Sequence, residues 1–388
     1  MDRTYYEMLC AMTLNRVMGY EPAVARRLIS AFGSPGAVFS QSPSALDEAF
    51  GPFSKYRASI CEQEIELSAK EFETLSRDGC TFVYTGGAGY PPLLEECPDA
   101  PVGLYIRSNS PPEEVFAPRR TISVVGTRDI SPYGKEWTEK TVSTISRTPA
   151  KPLIVSGLAI GVDITAHSTA LECGLPTVAV IPVGIDAVYP LRHRYIAERM
   201  VSTPGCALVT DFPPGTSPVA FNFLRRNRII AGLSHATILT ESKAKGGGTM
   251  TARLAAGYGR EVFALPGRID DVRSAGCNRL IMEKIAEPLT DLGELAGQLG
   301  LGSVSLRRGP ALEESVRACY ASAGQETAER LAAVAMAIRA SRGITPEGLC
   351  RELGLDFGSV SAAVCLLESD GYITTDLLQH CTINHKKY

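Results

Sequence analysis

The sequence predicts an α/β protein: an extended Rossmann-like, doubly wound and mostly parallel sheet, flanked by a helical N-terminal module and a winged-helix-like C-terminal module. Three observations carry that expectation. In the middle of the chain, short apolar runs alternate with helix-length amphipathic stretches, the pattern of a parallel sheet covered on both faces. Before them, apolar residues recur at three-to-four spacing. After them, three helix patterns lead into a short hairpin.

In chain order, Tyr6, Leu9, Leu14 and Val17 mark a first helix and Val24, Leu28, Ile29 and Phe32 a second, which Gly33-Ser34-Pro35-Gly36 ends. Ser42-Pro43 opens another, and a long polar helix is expected from about Ser54 to Arg77. Short helices joined by Gly/Pro turns over residues 1–78 resemble SAM or helix-hairpin-helix bundles. The α/β domain is expected over 79–295. It begins with the β-branched run Thr81 to Tyr84, and Ser108 to Pro118 reads as a connecting loop. Strands are then expected at Ile122 to Val125, Leu153 to Val155, Thr177 to Ile181, Ala207 to Val209, Ala236 to Leu239 and Val262 to Leu265. Residues 296–325, Gly-rich and then polar, read as a linker. Within 326–388, helices are expected at Leu331 to Ser341, Thr345 to Leu353 and Phe357 to Ser369, followed by Gly371-Tyr372-Ile373-Thr374 and a return strand near His380 to Ile383.

Composition narrows the function. No apolar stretch approaches the roughly 20 residues that span a bilayer, so no membrane segment is expected. Met1-Asp2-Arg3-Thr4 offers neither a basic cap nor an apolar core, and the N-terminus reads as unprocessed. Eleven scattered cysteines with no C-x-x-C pair read as reduced thiols of a cytoplasmic protein. His380, Cys381 and His385 cluster too close to the C-terminus for a zinc site to be expected, and neither metal nor cofactor is anticipated. The net charge of −3 hides a division: residues 1–118 carry −7, residues 119–285 carry +8 and residues 286–388 carry −4. An anionic ligand therefore belongs on the middle of the chain.

Four strand ends there have the chemistry to hold one. Gly126, Thr127 and Arg128 bring a close-approach glycine, a hydroxyl and a cation to the end of one strand. Ser156-Gly157 runs through a Gly turn to Asp163 at the start of a helix, whose free N–H groups suit an anion. Lys245-Gly246-Gly247-Gly248-Thr249 forms a second such turn. Phe223, Arg225, Arg226, Asn227 and Arg228 concentrate three guanidinium groups beside one ring. For those arginines a solvated helix face is the competing reading, and for Phe223 core packing. Neither G-x-x-x-x-G-K-[ST] nor a strand-linked G-x-G-x-x-G is present, which argues against ATP hydrolysis and dinucleotide chemistry. Several phosphate cradles with arginine and phenylalanine describe a groove that follows a sugar-phosphate backbone while a ring stacks on a base.

These motifs, in order, resemble DNA processing protein A, the DprA/Smf family. The resemblance is carried by Val125 to Arg128, Tyr133-Gly134, Ser156 to Asp163 with Ala166-His167, Tyr189-Pro190, Arg226 to Ser234, Glu241, Gly247 to Thr249, Pro266-Gly267 and Gly276-Cys277-Asn278. It implies a non-catalytic protein that binds and protects single-stranded DNA, forms homodimers, and loads the RecA recombinase during natural transformation. It also implies a dimer interface near Cys277 to Ile285, where Leu280, Ile281 and Ile285 form an apolar stripe equally compatible with core packing. Two departures stand out. Leu224-Arg225 replaces the family's Pro-x before Arg226-Asn227, and His193, between Arg192 and Arg194, stands where the family has Asn. Arg192 and Arg194 keep positive charge there. His167 is read as a packing or hydrogen-bonding residue. From Phe357 to Tyr372 no Lys or Arg occurs, so the C-terminal module is expected to contact protein rather than duplex DNA. A structural adaptor is a weaker reading. The competing enzyme reading is a nucleoside monophosphate phosphoribohydrolase, whose Gly-Gly-x-Gly-Thr loop Gly246 to Thr249 resembles, with Glu241 as the acid/base group.

Overall fold

Each apolar run in the middle of the chain becomes a strand of one nine-stranded sheet. The computed structural model describes residues 2–51, 54–304, 312–341 and 343–384. It divides into two compact units, residues 1–305 and 306–388. The strands are β1 Cys80–Tyr84, β2 Gly103–Arg107, β3 Thr121–Gly126, β4 Leu153–Ser156, β5 Thr177–Val180, β6 Ala207–Thr210, β7 Ala236–Glu241, β8 Glu261–Ala264 and β9 Glu287–Pro288. Their order is β1-β2-β6-β5-β4-β3-β7-β8-β9. From β6 to β9 all pairings are parallel, and β1 and β2 close one edge antiparallel.

The strands read as continuous apolar runs because both faces are covered. Val125, Val155, Val180 and Leu239 point to one face, over which helices Ala220–Gly232 and Gly247–Gly257 pack. Val124, Ile154 and Ile238 point to the other, against helices Pro132–Ser146 and Val162–Glu172. Each such side chain contributes about 1.5–3 kcal/mol on burial. β3 and β7 are adjacent and parallel, yet the helices that follow them lie on opposite faces. That reversal opens a crevice beyond their carboxyl ends, where α/β sheets bind ligands.

Helices Arg3–Met18, Pro22–Phe32, Pro35–Phe39, Pro43–Phe50 and Glu62–Arg77 precede the sheet. Ser34 and Ser42 accept from the backbone N–H groups of Ala37 and Ala45, capping helices that begin on proline. Met12, Leu14 and Met18 pack with Phe82, Tyr105 and Leu208, so residue 78 is not a seam in the core. The long polar helix begins at Glu62 rather than near Ser54, because Arg57 pairs with Asp47 at 2.9 Å and ties the preceding segment to helix Pro43–Phe50.

The linker reading of 296–325 needs correction at both ends. Leu299 and Leu301 are buried in the sheet's core beside helix Leu292–Gln298. Helix Leu312–Cys319 buries Leu312 and Val316 in the second unit. Residues 305–311 lie outside the described residues. In the second unit, helices Gln325–Ala340, Pro346–Leu353 and Phe357–Ser369 surround Leu331, Ile338, Leu349 and Leu367, and strands β10 Ile373–Thr375 and β11 Cys381–Ile383 pair antiparallel. Among the described residues no helix is long and apolar enough to cross a membrane, and no group of three or more metal-ligating side chains is assembled. His380 Nδ1 lies 2.9 Å from Asp376 Oδ2, and His385 falls outside the described residues.

Candidate nucleic-acid interface

Three of the predicted Gly turns meet at the crevice because their glycines allow backbones to touch. A Cβ on Gly248 would sit 2.9 Å from Gly126 Cα, so the start of helix Gly247–Gly257 lies directly on the end of β3. Gly161 adopts φ +86°, which disfavours a side chain, and a Cβ there would collide with the Thr127 carbonyl. Val162 N–H donates to that same carbonyl at 3.2 Å. Asn227 Nδ2 reaches the Gly247 carbonyl at 3.5 Å, joining helix Ala220–Gly232 to the group.

On the outer side, the Arg128 guanidinium lies over the Phe223 ring, 4.6 Å from its centroid. Phe223 in turn meets Tyr189 edge-on at 5.5 Å. Arg128 and Tyr189 are exposed and Phe223 is half-buried; a cis peptide joins Tyr189 to Pro190. Lys243, Lys245, Gly247, Arg192 and Arg194 are also exposed, although Arg194 lies 3.5 Å from Glu198. Thr127 Oγ1 accepts from Asp129 N–H at 3.1 Å and fixes the turn that carries Arg128.

The other predicted contacts face inward. Arg226 is buried and donates to the Gly157 carbonyl at 2.6 Å and to the Val180 carbonyl. Arg225 and Arg228 share Asp211, the first at 2.9 Å, and Arg228 also donates to the Asp99 carbonyl. Neither the surface reading nor the solvated-face alternative describes these three guanidinium groups: an Asp at the end of β6 and three carbonyls draw them in. Ser156 Oγ donates to the Val124 carbonyl at 2.6 Å, Thr249 Oγ1 to the Lys243 carbonyl at 3.0 Å, and the Arg226 guanidinium occupies the space beside Gly157. His193 is also turned inward and buried, with Nδ1 2.8 Å from the Leu158 carbonyl, away from the exposed Arg192 and Arg194. Leu280 is fully buried in its own unit's core and is unavailable to a partner, whereas Ile281 and Ile285 are partly buried at its edge.

Beneath the Gly157 turn lies a buried polar cluster. Burial raises the Asp163 carboxyl, while Arg226, Ser156 and the Ala159 and Gly157 amides favour its charged form. Burial pulls Arg226 down to about 10, against the opposing pull of Asp163. His167 Nδ1 lies 2.7 Å from Thr177 Oγ1, and burial followed by the charge of Arg226 depresses the imidazole to about 3. A histidine neutral when folded and protonated when unfolded contributes stability above pH 6.5 that is lost as pH falls toward 3. Acidification from pH 7 to 5 should therefore cost about 2 kcal/mol through this group. Denaturant midpoints at the two pH values check this: His167→Asn should remove that share of the pH dependence.

Glu241 does not stand free for acid/base work. One carboxylate oxygen accepts from Ser131 N–H at 2.8 Å and the other from Ser131 Oγ at 2.6 Å, so it fastens the loop after β3 to the end of β7. A Cβ on Gly134 would come within 2.5 Å of it. Sequence reasoning left Asp211 and Lys243 unassigned and quoted Tyr189 only as part of a motif. The signal for Asp211 was an acid ending an apolar strand ahead of three arginines.

A doubly wound, Rossmann-like α/β protein with an open strand-end crevice is the class that fold and geometry define. The comparisons identify its family. The family model of DNA recombination-mediator protein A matches residues 81–300. The Smf protein of Synechocystis is 32% identical over 287 residues, covering 74% of this chain and 71% of that one. The X-ray structure of DNA processing protein A from Streptococcus pneumoniae superposes with a TM-score of 0.59 at 28% identity, over 76% of this chain and 95% of that one. DNA processing protein A from Helicobacter pylori, whose structure was described for its single-stranded DNA binding mode, gives 0.50 at 25% identity, over 57% and 95%. Of several other curated relatives the chain spans 50% to 66% of the length. The chain belongs to the DprA/Smf family of DNA recombination mediators, and its role lies in DNA processing for recombination.

Proposed function

We propose that this protein is a non-catalytic single-stranded DNA-binding mediator. It holds the strand at the crevice beyond β3 and β7, protects it, and presents it to the RecA recombinase as a homodimer in the cytoplasm, in natural transformation or related recombination. The observation that carries this is the Arg128–Phe223–Tyr189 group, in which an exposed cation and two accessible rings stand beside the Gly247 helix start. Phosphate is drawn to the guanidinium and to helix N–H groups without intrahelical partners, and a base finds a ring face. The single-stranded DNA binding of the Helicobacter pylori relative supports the same reading. Exposed Arg192, Lys243 and Lys245 extend the positive field, and the dimer contact is assigned to Ile281 and Ile285. The recruitment of Glu241 by Ser131 weighs against the phosphoribohydrolase alternative.

Titration of a labelled oligo-dT against salt tests the proposal. Affinity should fall with a log–log slope of about −0.7 per neutralised phosphate, and an equal-length duplex should bind more weakly. Salt-independent binding, or a preference for duplex, would remove its physical basis.

A further inference from the structure

The start of helix Ala220–Gly232 carries aromatic rings on two flanks. Phe223 turns toward Arg128 and Tyr189, while Phe221, two residues earlier, turns the other way and meets Tyr20 of the N-terminal module. The Tyr20 and Phe221 rings lie 6.1 Å apart at 30°, and each side chain is 60% exposed. A lone exposed ring carries little meaning. Two that touch across segments distant in sequence, and still leave their outer faces open, are held in place by the fold.

The support beneath them is built and charged. Arg225 places its guanidinium 4.6 Å from the Tyr20 ring centroid and 5.4 Å from that of Phe212. Asp211 fixes Arg225 at 2.9 Å and also pairs with Arg228, so two guanidinium groups against one carboxylate leave a single positive charge below the rings. Asn15 Nδ2 donates to the Asp211 carbonyl at 2.8 Å, tying the helix before Tyr20 to the same post. Although the module is acidic overall, Glu21, the carboxylate next to Tyr20, is paired with Lys55 at 2.6 Å.

We propose that Tyr20 and Phe221 form a second base-stacking ledge, which carries a single strand from the Arg128–Phe223 platform across the start of helix Ala220–Gly232 onto the N-terminal helical module. The inference rests on the single-stranded DNA reading of the crevice. A cation behind Tyr20 withdraws π density from the ring and favours an electron-rich base on its open face. The net positive charge beneath suits the attached phosphate. A protein partner would use the same apolar area but has no need of the buried charge.

The test measures binding of oligo-dT of about 4 and about 15 nucleotides, lengths that bracket single-domain site sizes. Proteins compared are the unaltered chain, Phe221→Ala, Tyr20→Ala, Tyr20→Phe and Arg128→Ala. Both ledge residues are exposed, and a thermal scan of each variant is the control for folding. The ledge predicts that Phe221→Ala and Tyr20→Ala each weaken the long oligonucleotide about fivefold or more while leaving the short one unchanged, and that Tyr20→Phe restores binding. Photo-crosslinking of a 5-iododeoxyuridine oligonucleotide should label Tyr20 or Phe221. If Phe221→Ala and Tyr20→Ala stay within about twofold of the unaltered protein at both lengths with no such crosslink, while Arg128→Ala still loses binding, the ledge is wrong and the crevice reading survives. If Arg128→Ala is also without effect, the crevice reading itself fails.

Discussion

Arg226→Ala should lower the stability of the α/β unit by about 3–5 kcal/mol at neutral pH, the usual cost of leaving one member of a buried charge set without its partner. The side chain is buried and donates to the Gly157 and Val180 carbonyls, so it bolts the turns after β4 and β5 together. Its charge is also what opposes the burial of the Asp163 carboxylate. Removing it leaves two carbonyls under-satisfied and a buried anion exposed to the full desolvation penalty. A urea midpoint that falls with an unchanged m-value is the expected signature. Asp163→Asn in the Arg226→Ala background should recover part of the loss, and the double-mutant cycle isolates the coupling. A loss below about 1 kcal/mol would mean that water replaces the guanidinium and that the residue is not structural. DNA affinity should fall as well, through the Gly157–Gly161 turn packed on Thr127, although Arg226 touches no strand.

That expectation marks where the sequence was legible. The sheet could be read because strands covered on both faces are mostly apolar, and Val124 with Val125 shows both faces used in succession, while buried polar positions such as Ser123 and Thr237 satisfy each other at 2.7 Å. β2 escaped notice because it opens on Gly103, a residue that weakens a strand pattern. The glycine is needed there because the Phe82 ring crosses it from β1. The crevice could be read from its glycines and from Arg128, whose roles are local. The arginine run could not, since its fate is set by Asp211 and by the Gly157, Val180 and Asp99 carbonyls, partners contributed by segments distant in sequence. Three adjacent cations look identical in sequence whether they meet phosphate or an internal acid, and burial of the acid at the end of an apolar strand decides between them. Leu280 and Ile281 pose the same difficulty: on the eight-residue helix Ala275–Met282, one apolar stripe serves core or partner equally well until the sheet beneath is known.

Arg128→Ala should weaken single-stranded DNA binding by at least about tenfold, as a charge-assisted hydrogen bond to phosphate contributes about 1.5–3 kcal/mol. The loss should be alike for oligo-dT, oligo-dA and mixed sequences, because the contact is to the backbone and not to base edges. The slope of log affinity against log salt should shrink by about 0.7, one phosphate fewer. Arg128→Lys keeps the charge but gives up the planar guanidinium that lies 4.6 Å from the Phe223 ring, and should fall between the two. Phe223→Ala is expected to weaken binding by a comparable factor, removing a base-stacking face and also the surface that orients Arg128. The two losses should therefore be less than additive in the double variant. Fluorescence anisotropy across a salt series checks all four proteins. Full additivity would show that ring and guanidinium act on separate parts of the strand, and an Arg128→Ala protein binding within about twofold of the unaltered chain would place the strand elsewhere on the molecule.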